Sequence, residues 1–210
     1  MTRARDVANR AIVANAVGAT ELNLTDNYAF TGTVTGAGGG KILQVKQHVE
    51  DGQTSFTNQT SARASRLLLA ANAADSTSHV SVTITPSSTS NKIILMGHVF
   101  YEPTTANHEY LWAFHRDTTL LGAPASGNRG RGIASTANNY QAAADNNSTP
   151  ESRSFQFVDS PSSTSAITYC ISYNTSSTSG TLYLNRTVAN TDATAFELGV
   201  SSIIAMEIAG

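Results

Sequence analysis

The chain has 210 residues, of which 13% are charged and 40% hydrophobic, with a formal net charge of -2. Its charged share is about half the usual value of roughly 25%, so no broad basic field exists to hold nucleic acid or an anionic membrane. Ser and Thr number 51; hydroxyls suit β faces and turns and disfavour helix interiors, while the hydrophobic content excludes a wholly disordered chain.

The single cysteine, Cys170, cannot form an intramolecular disulfide and lies in an apolar alternating run, where a buried inert thiol is expected. No stretch approaches the roughly 20 apolar residues that span a bilayer. The opening Met1-Thr2-Arg3-Ala4-Arg5-Asp6 has no apolar signal core. A soluble protein made in a cytoplasm is expected.

Residues 1–19 are expected to form a short helix, capped by Asp6, with Val7, Ala11 and Ile12 on one side and Gly18 as its stop. Its apolar side chains are small, and isolated helices of about 12–15 residues are marginal in water, so it must dock on another surface. Residues 20–40 follow as an extended linker that ends in Gly36-Ala37-Gly38-Gly39-Gly40, a flexible joint.

From Lys41 the pattern changes to period two. Leu43, Val45 and Val49 alternate with Gln44, Lys46 and His48, and Val80, Val82 and Ile84 alternate with Ser81, Thr83 and Thr85. Tyr110, Trp112 and Phe114 share a face, as do Phe155 and Phe157, then Ile167, Tyr169, Ile171 and Tyr173, then Leu182 and Leu184, and finally Ile204, Met206 and Ile208. Such alternation places one strand face in a core and one in a wetter setting. The run Ile93-Ile94-Leu95-Met96 is apolar on both faces, which predicts a central strand covered on both sides. Turn-rich segments at 86–91, 102–107, 122–131, 145–150 and 161–165 separate the runs. Eight to ten short strands at this spacing predict an all-β, jelly-roll-like antiparallel β-sandwich over residues 41–210, preceded by the helix and linker of residues 1–40. Pro-Ser-Ser-Thr-Ser occurs at 86–90 and again at 161–165; one reading is convergent turn composition, the other a hairpin connector used twice.

Reaction chemistry is poorly represented. Gly36 to Lys41 departs from a phosphate-binding loop: Thr35 stands in place of the first glycine, Ile42 follows the lysine, and a strand comes next. The histidines His48, His79, His98, His108 and His115 show no metal-ligand spacing. No GxSxG elbow exists, and the acidic residues are scattered, so no carboxylate pair for glycoside cleavage can be drawn. The expectation is a protein that is not an enzyme, with no metal and no cofactor. Gly127-Asn128-Arg129-Gly130-Arg131-Gly132 is the one local basic cluster in the sandwich region, too small to indicate nucleic acid.

Four stretches carry a resemblance. Thr2-Arg3-Ala4-Arg5-Asp6-Val7-Ala8-Asn9, Leu24 to Val34, Val82 to Ile93, and Tyr183-Leu184-Asn185-Arg186-Thr187 with the ending Ile204 to Gly210 resemble, in this order, the start, linker, first head hairpin and C-terminal strands of phage fibre-like virion proteins, common in phages of marine bacteria and cyanobacteria. The resemblance implies a structural virion protein: a short tail fibre or appendage with a receptor-binding head, or alternatively a capsid decoration or head-fibre protein without receptor duty. It implies attachment to other virion proteins through residues 1–40, with Arg3, Arg5, Val7, Arg10 and Ile12 as contact groups. It also implies a homotrimer, in which repeated weak contacts to a host surface glycan gain avidity. Loop aromatic and polar groups suit sugar surfaces, so Tyr101, Glu102, His108, Arg129, Arg131 and Tyr140 are the candidate contacts. Neither nucleic acid nor a membrane is an expected partner.

Overall fold

The period-two runs form strands. A computed structural model describes residues 41–59, 61, 65–67, 80–104, 109–122, 124–137 and 148–210, all within the unit Gly39–Gly210. The expected helix and linker, with Arg3, Arg5, Val7, Arg10 and Ile12, lie outside the described residues, as do His108 and Tyr140. The strands are β1 (Ile42–Glu50), β2 (Thr54–Thr57), β3 (Arg66–Leu67), β4 (Ser81–Ile84), β5 (Lys92–Pro103), β6 (Glu109–Arg116), β7 (Thr119–Leu120), β8 (Ala134–Ala137), β9 (Glu151–Asp159), β10 (Ile167–Thr175), β11 (Thr181–Leu184) and β12 (Ser201–Ile208).

They form two antiparallel sheets. In the first, β5 is central. Its twelve residues are long enough for β12 and β11 to share one edge, with β9 along the other; β1 lies outside β12 and β2 outside β11. In the second, β10 and β6 form the centre, β3 and β4 share the free edge of β10, and β7 and β8 share that of β6. With β7 and β8 taken as one broken strand, and with β2, β3 and β11 set aside, the principal strands numbered along the chain read 1-8-3-6 and 2-7-4-5. This is the two-sheet arrangement of a jelly roll.

Between the sheets, Ile93, Leu95, Val99, Phe155, Leu182, Leu184 and Ile203 meet Ile84, Tyr110, Trp112, Phe114, Tyr169, Ile171 and Tyr173, all buried. Ring centroids lie 4.6 Å apart for Tyr101 and Trp112 and 4.8 Å for Phe114 and Phe155, within the range of favourable aromatic pairs. At Gly97 a Cβ would come within 2.8 Å of Ile171 Cδ1 and 3.1 Å of the Phe114 ring, so the glycine permits the close approach of the sheets.

Three expectations need correction. The run Ile93-Ile94-Leu95-Met96 is central, but only Ile93 and Leu95 are buried, and Met96 is 42% exposed. Ile204, Met206 and Ile208 do share a face, yet it is the outer one; Ile203, Ala205 and Glu207 point inward. The two Pro-Ser-Ser-Thr-Ser connectors are not hairpins. Residues 86–90 pass from β4 in the second sheet to β5 in the first, and residues 161–165 pass from β9 in the first to β10 in the second. They are arches, and both sit at one end of the sandwich, where Ile84 pairs with Ile167 and Ile93 with Asp159.

The first arch is held by a buried carboxylate. Glu207, 0% exposed, accepts from Ser87 N (2.6 Å), Ser87 Oγ (2.8 Å), Asn91 Nδ2 (2.6 Å) and Gln44 Nε2 (2.5 Å). Burial alone would raise its pKa, but these donors outweigh burial and lower it from 4.5 to about 2. A folded-state pKa below the unfolded value adds stability that is full above about pH 5 and lost as pH falls toward 2. In urea titrations the wild-type midpoint should therefore drop between those pH values, and Glu207→Gln should lack that component. At neutral pH, Glu207→Leu should destabilise by about 2–3 kcal/mol or more, because buried donors lose their acceptor.

Candidate interaction surface

The antiparallel register across β1, β12, β5 and β9 sets the outward side chains of the first sheet in rows. Val45, Met206, Ile94 and Val158 form one row. The next is Gln47, Ile204, Met96 and Gln156, and the third is Val49, Ser202, His98 and Ser154. At a strand spacing of about 4.8 Å each row spans roughly 15 Å. None of these twelve residues is Asp, Glu, Lys or Arg. Val45 is 53% and Val158 52% exposed, so the first row is apolar and open. A shallow groove of about 410 Å³ lies over Met96, Gly97 and His98, bounded by Ser154, Ser202 and Ile204. His98 Nδ1 lies 2.9 Å from Ser154 Oγ.

The outer side of the second sheet differs. Ala113, His115, Cys170, Ser172 and Asn174 are buried. The segment between β7 and β8 is tied to this side: Asn174 Nδ2 donates to Arg131 O (2.7 Å) and Ile133 N to Trp112 O (2.7 Å). Burial lowers the pKa of His115, and the Arg131 charge lowers it further.

The described candidate contact residues do not form one surface site. Tyr101 is 0% exposed; its ring packs on Trp112 and its hydroxyl donates to Glu151 Oε2 (3.2 Å). Burial raises the pKa of both groups. Glu102 is 1% exposed and accepts from Thr149 N (3.0 Å), Thr149 Oγ1 (3.0 Å) and Val188 N (2.6 Å). Neither side chain can meet a surface ligand, which corrects their assignment: both lie in β5 and not in the loop after it. Arg129 is exposed in a turn whose Gly127 has φ 56°, and Arg131 is half-buried.

A polar groove of about 340 Å³ escaped the sequence reading. It is lined by Gln53, Thr187, Asn190, Asp192, Phe196 and Glu197, among others. Two anchors shape it. Ser148 Oγ lies 2.7 Å from Glu197 Oε2. Asn185, at φ 62°, donates through Nδ2 to Glu50 O (2.8 Å) and Gly52 O (2.9 Å) and accepts through Oδ1 from Ser201 Oγ (2.7 Å). The visible signal was Asn after an alternating run, since Asn tolerates left-handed backbone. Beside it the Arg186 guanidinium lies 4.0 Å over the Tyr183 ring.

No protein-family model and no curated protein matches the chain. Among solved structures it is similar to a chain in the structure of infectious bursal disease virus, Gt strain (TM-score 0.36, 12% identity, 80% of this chain and 39% of that one). It is also similar to the VP2 subviral particle of that virus (0.34, 13%, 80% and 38%) and to its derived T=1 particles (0.37, 12%, 80% and 41%). The chain thus spans about two fifths of the length of those chains.

Asn185→Ala removes three side-chain hydrogen bonds and forces a Cβ residue without a polar group into left-handed backbone. A loss of about 2–4 kcal/mol is expected in urea unfolding, and Asn185→Gly should recover part of it by relieving the backbone.

Proposed function

We propose that this chain is a structural protein of a bacteriophage particle: the trimeric head of a short tail fibre or comparable appendage, held to the particle by residues 1–40 and meeting a host-surface glycan through its loops. One observation carries the reading. The buried carboxylates serve structure: Glu207 holds an arch, Glu102 holds the segments at Thr149 and Val188, and Asp159 accepts from Arg116 Nη1 (3.1 and 3.2 Å) and Tyr169 OH (2.7 Å). A saturated carboxylate is a poor general acid or base. What remains accessible is surface: a sheet face with three uncharged rows, and polar loops on a rigid sandwich. This division suits a protein that assembles and adheres.

The attachment contacts proposed are Arg3, Arg5, Val7, Arg10 and Ile12. For the glycan, Arg129 and Arg131 stay as contacts beside His108 and Tyr140, and the groove around Asn190, Asp192 and Phe196 adds amide, carboxylate and aromatic groups of the kind that hold sugar hydroxyls and sugar faces. Three copies raise avidity by roughly 10² to 10⁴ over one contact, so shallow sites suffice.

Gold-labelled antibody against the protein should mark the tail of intact particles. Label over the head would favour the capsid decoration reading, and absence of its peptides from purified particles would end both. Arg129→Ala with Arg131→Ala should reduce binding of the full chain to host cells several-fold and leave the melting temperature unchanged; unchanged binding would remove this loop from the site.

A further inference from the structure

The outer face of the first sheet carries the pattern of a buried surface. β5 alternates Ile93 and Leu95 inward with Ile94 and Met96 outward, and on β12 and β1 the larger apolar side chains, Ile204, Met206, Val45 and Val49, are the outward ones. A strand apolar on both faces is normally covered on both. The second sheet covers one. Contiguous open apolar patches of this kind mark interaction sites.

Building on the oligomeric head described above, we propose that the second cover is the same face of other copies of this chain, set in parallel about an axis that runs along β5. Charge favours a copy over a foreign partner. The three rows hold no Asp, Glu, Lys or Arg, and the one cation of β5 on this side, Lys92, stands a row beyond them opposite Ile208, so the rows meet themselves without like-charge repulsion and offer a charged partner nothing to pair with.

Polarity along the strands selects the orientation. The row Val45, Met206, Ile94 and Val158 is wholly apolar, and two rows further on stand Val49, Ser202, His98 and Ser154, a row with three polar members. Parallel copies set the wholly apolar row against itself and the mixed row against the mixed row. Antiparallel copies would press Ser154 and Ser202 against valine and isoleucine, and burying unpaired hydroxyls is unfavourable. The parallel arrangement also brings every β1 start to one end, as attachment to a common site requires. The shallow groove at His98 then becomes an enclosed space between subunits.

The test uses the full chain in sedimentation and native mass spectrometry at micromolar concentration. The wild type should be a trimer. Met96→Lys and Val158→Lys should each raise the dissociation constant at least 100-fold and give monomers, with a strand-rich circular dichroism spectrum showing that they fold. Asn128→Lys, on the exposed loop, is the control and should remain trimeric. A monomeric wild type, or trimers that survive both lysines, would overturn the proposal. Orientation is read by a short bis-maleimide. Val45→Cys with Val158→Cys should yield covalent oligomers, and Val45→Cys with Ser154→Cys should not; the reverse result refutes the parallel arrangement. Cys170 is buried and stays silent. Assembly that fails in the lysine variants while the protein is absent from phage particles would retire the fibre reading alone. Particle-borne protein whose trimer ignores the lysines would retire the interface alone.

Discussion

The close approach of β5 to the second sheet at Gly97 governs the geometry of the sandwich. A Cβ at that point would sit 2.8 Å from Ile171 Cδ1 and 3.1 Å from the Phe114 ring, so two buried side chains of β10 and β6 rest directly on bare backbone. Packed sheets usually stand about 10 Å apart. A glycine in the middle of the longest strand lets Ile171 and Phe114 take the space that a side chain would fill. On the outward side of β5 the groove lies over the neighbouring residues Met96 and His98. Further along β5 the gap is filled by rings, with Tyr101 edge-on to Trp112 and Trp112 5.8 Å from Tyr173. One strand thus sets both the packing inside and the relief outside.

Polar side chains fasten what this apolar contact leaves loose. Glu207 ties β12 to the arch between β4 and β5 and to Gln44 of β1. Asn185 ties the end of β11 to the backbone after β1 and to Ser201 of β12. Glu102 gathers the chain before β9 and the chain after β11. Glu207 works at the end where β5 begins, and Asn185 and Glu102 at the end where it finishes. Each is buried, where an unmade hydrogen bond is expensive. Loops held in this way keep a defined shape without disulfides, and that shape is what a repeated weak contact needs.

The strands were legible because period two is a local property. Tyr110, Trp112 and Phe114, or Ile167, Tyr169 and Ile171, declare a shared face through spacing alone. Alternation does not say which face is inward. On β12 the more apolar set is Ile204, Met206 and Ile208, yet Ile203, Ala205 and Glu207 face the core, because Glu207 must reach Ser87 and Asn91 from the inner side. Tyr101 and Glu102 were misplaced for a related reason: a turn-like composition after residue 101 hid the length of β5, whose pairing runs to Pro103 opposite Leu182. The arches resembled hairpin turns because connector composition reports a change of direction and not which sheet the next strand joins. Arg129 was legible as an exposed loop residue, since Gly and Asn around it specify a turn. The groove beside Asn190 was not, because it depends on Gln53 and Glu197 meeting across most of the chain.

The inversion of polarity on the first sheet follows from these constraints taken together. The inner side of β12 gives a position to a carboxylate that has to be ionised and shielded, and the inner side of β1 gives one to Gln44, which feeds it. Apolar side chains that would otherwise fill those positions stand outside, in register with Ile94 and Val158. A sheet built this way carries a partly polar inner margin and an apolar outer surface, the reverse of the pattern for a face turned to water. Polar ties inside stabilise the arch by about as much as single hydrogen-bond networks usually do. Apolar rows outside add stability only when something removes them from water. The sandwich is therefore folded by its own core, and the proposed association would take the outer rows out of water, with loop anchoring and the exposed face depending on the same short stretch of β12.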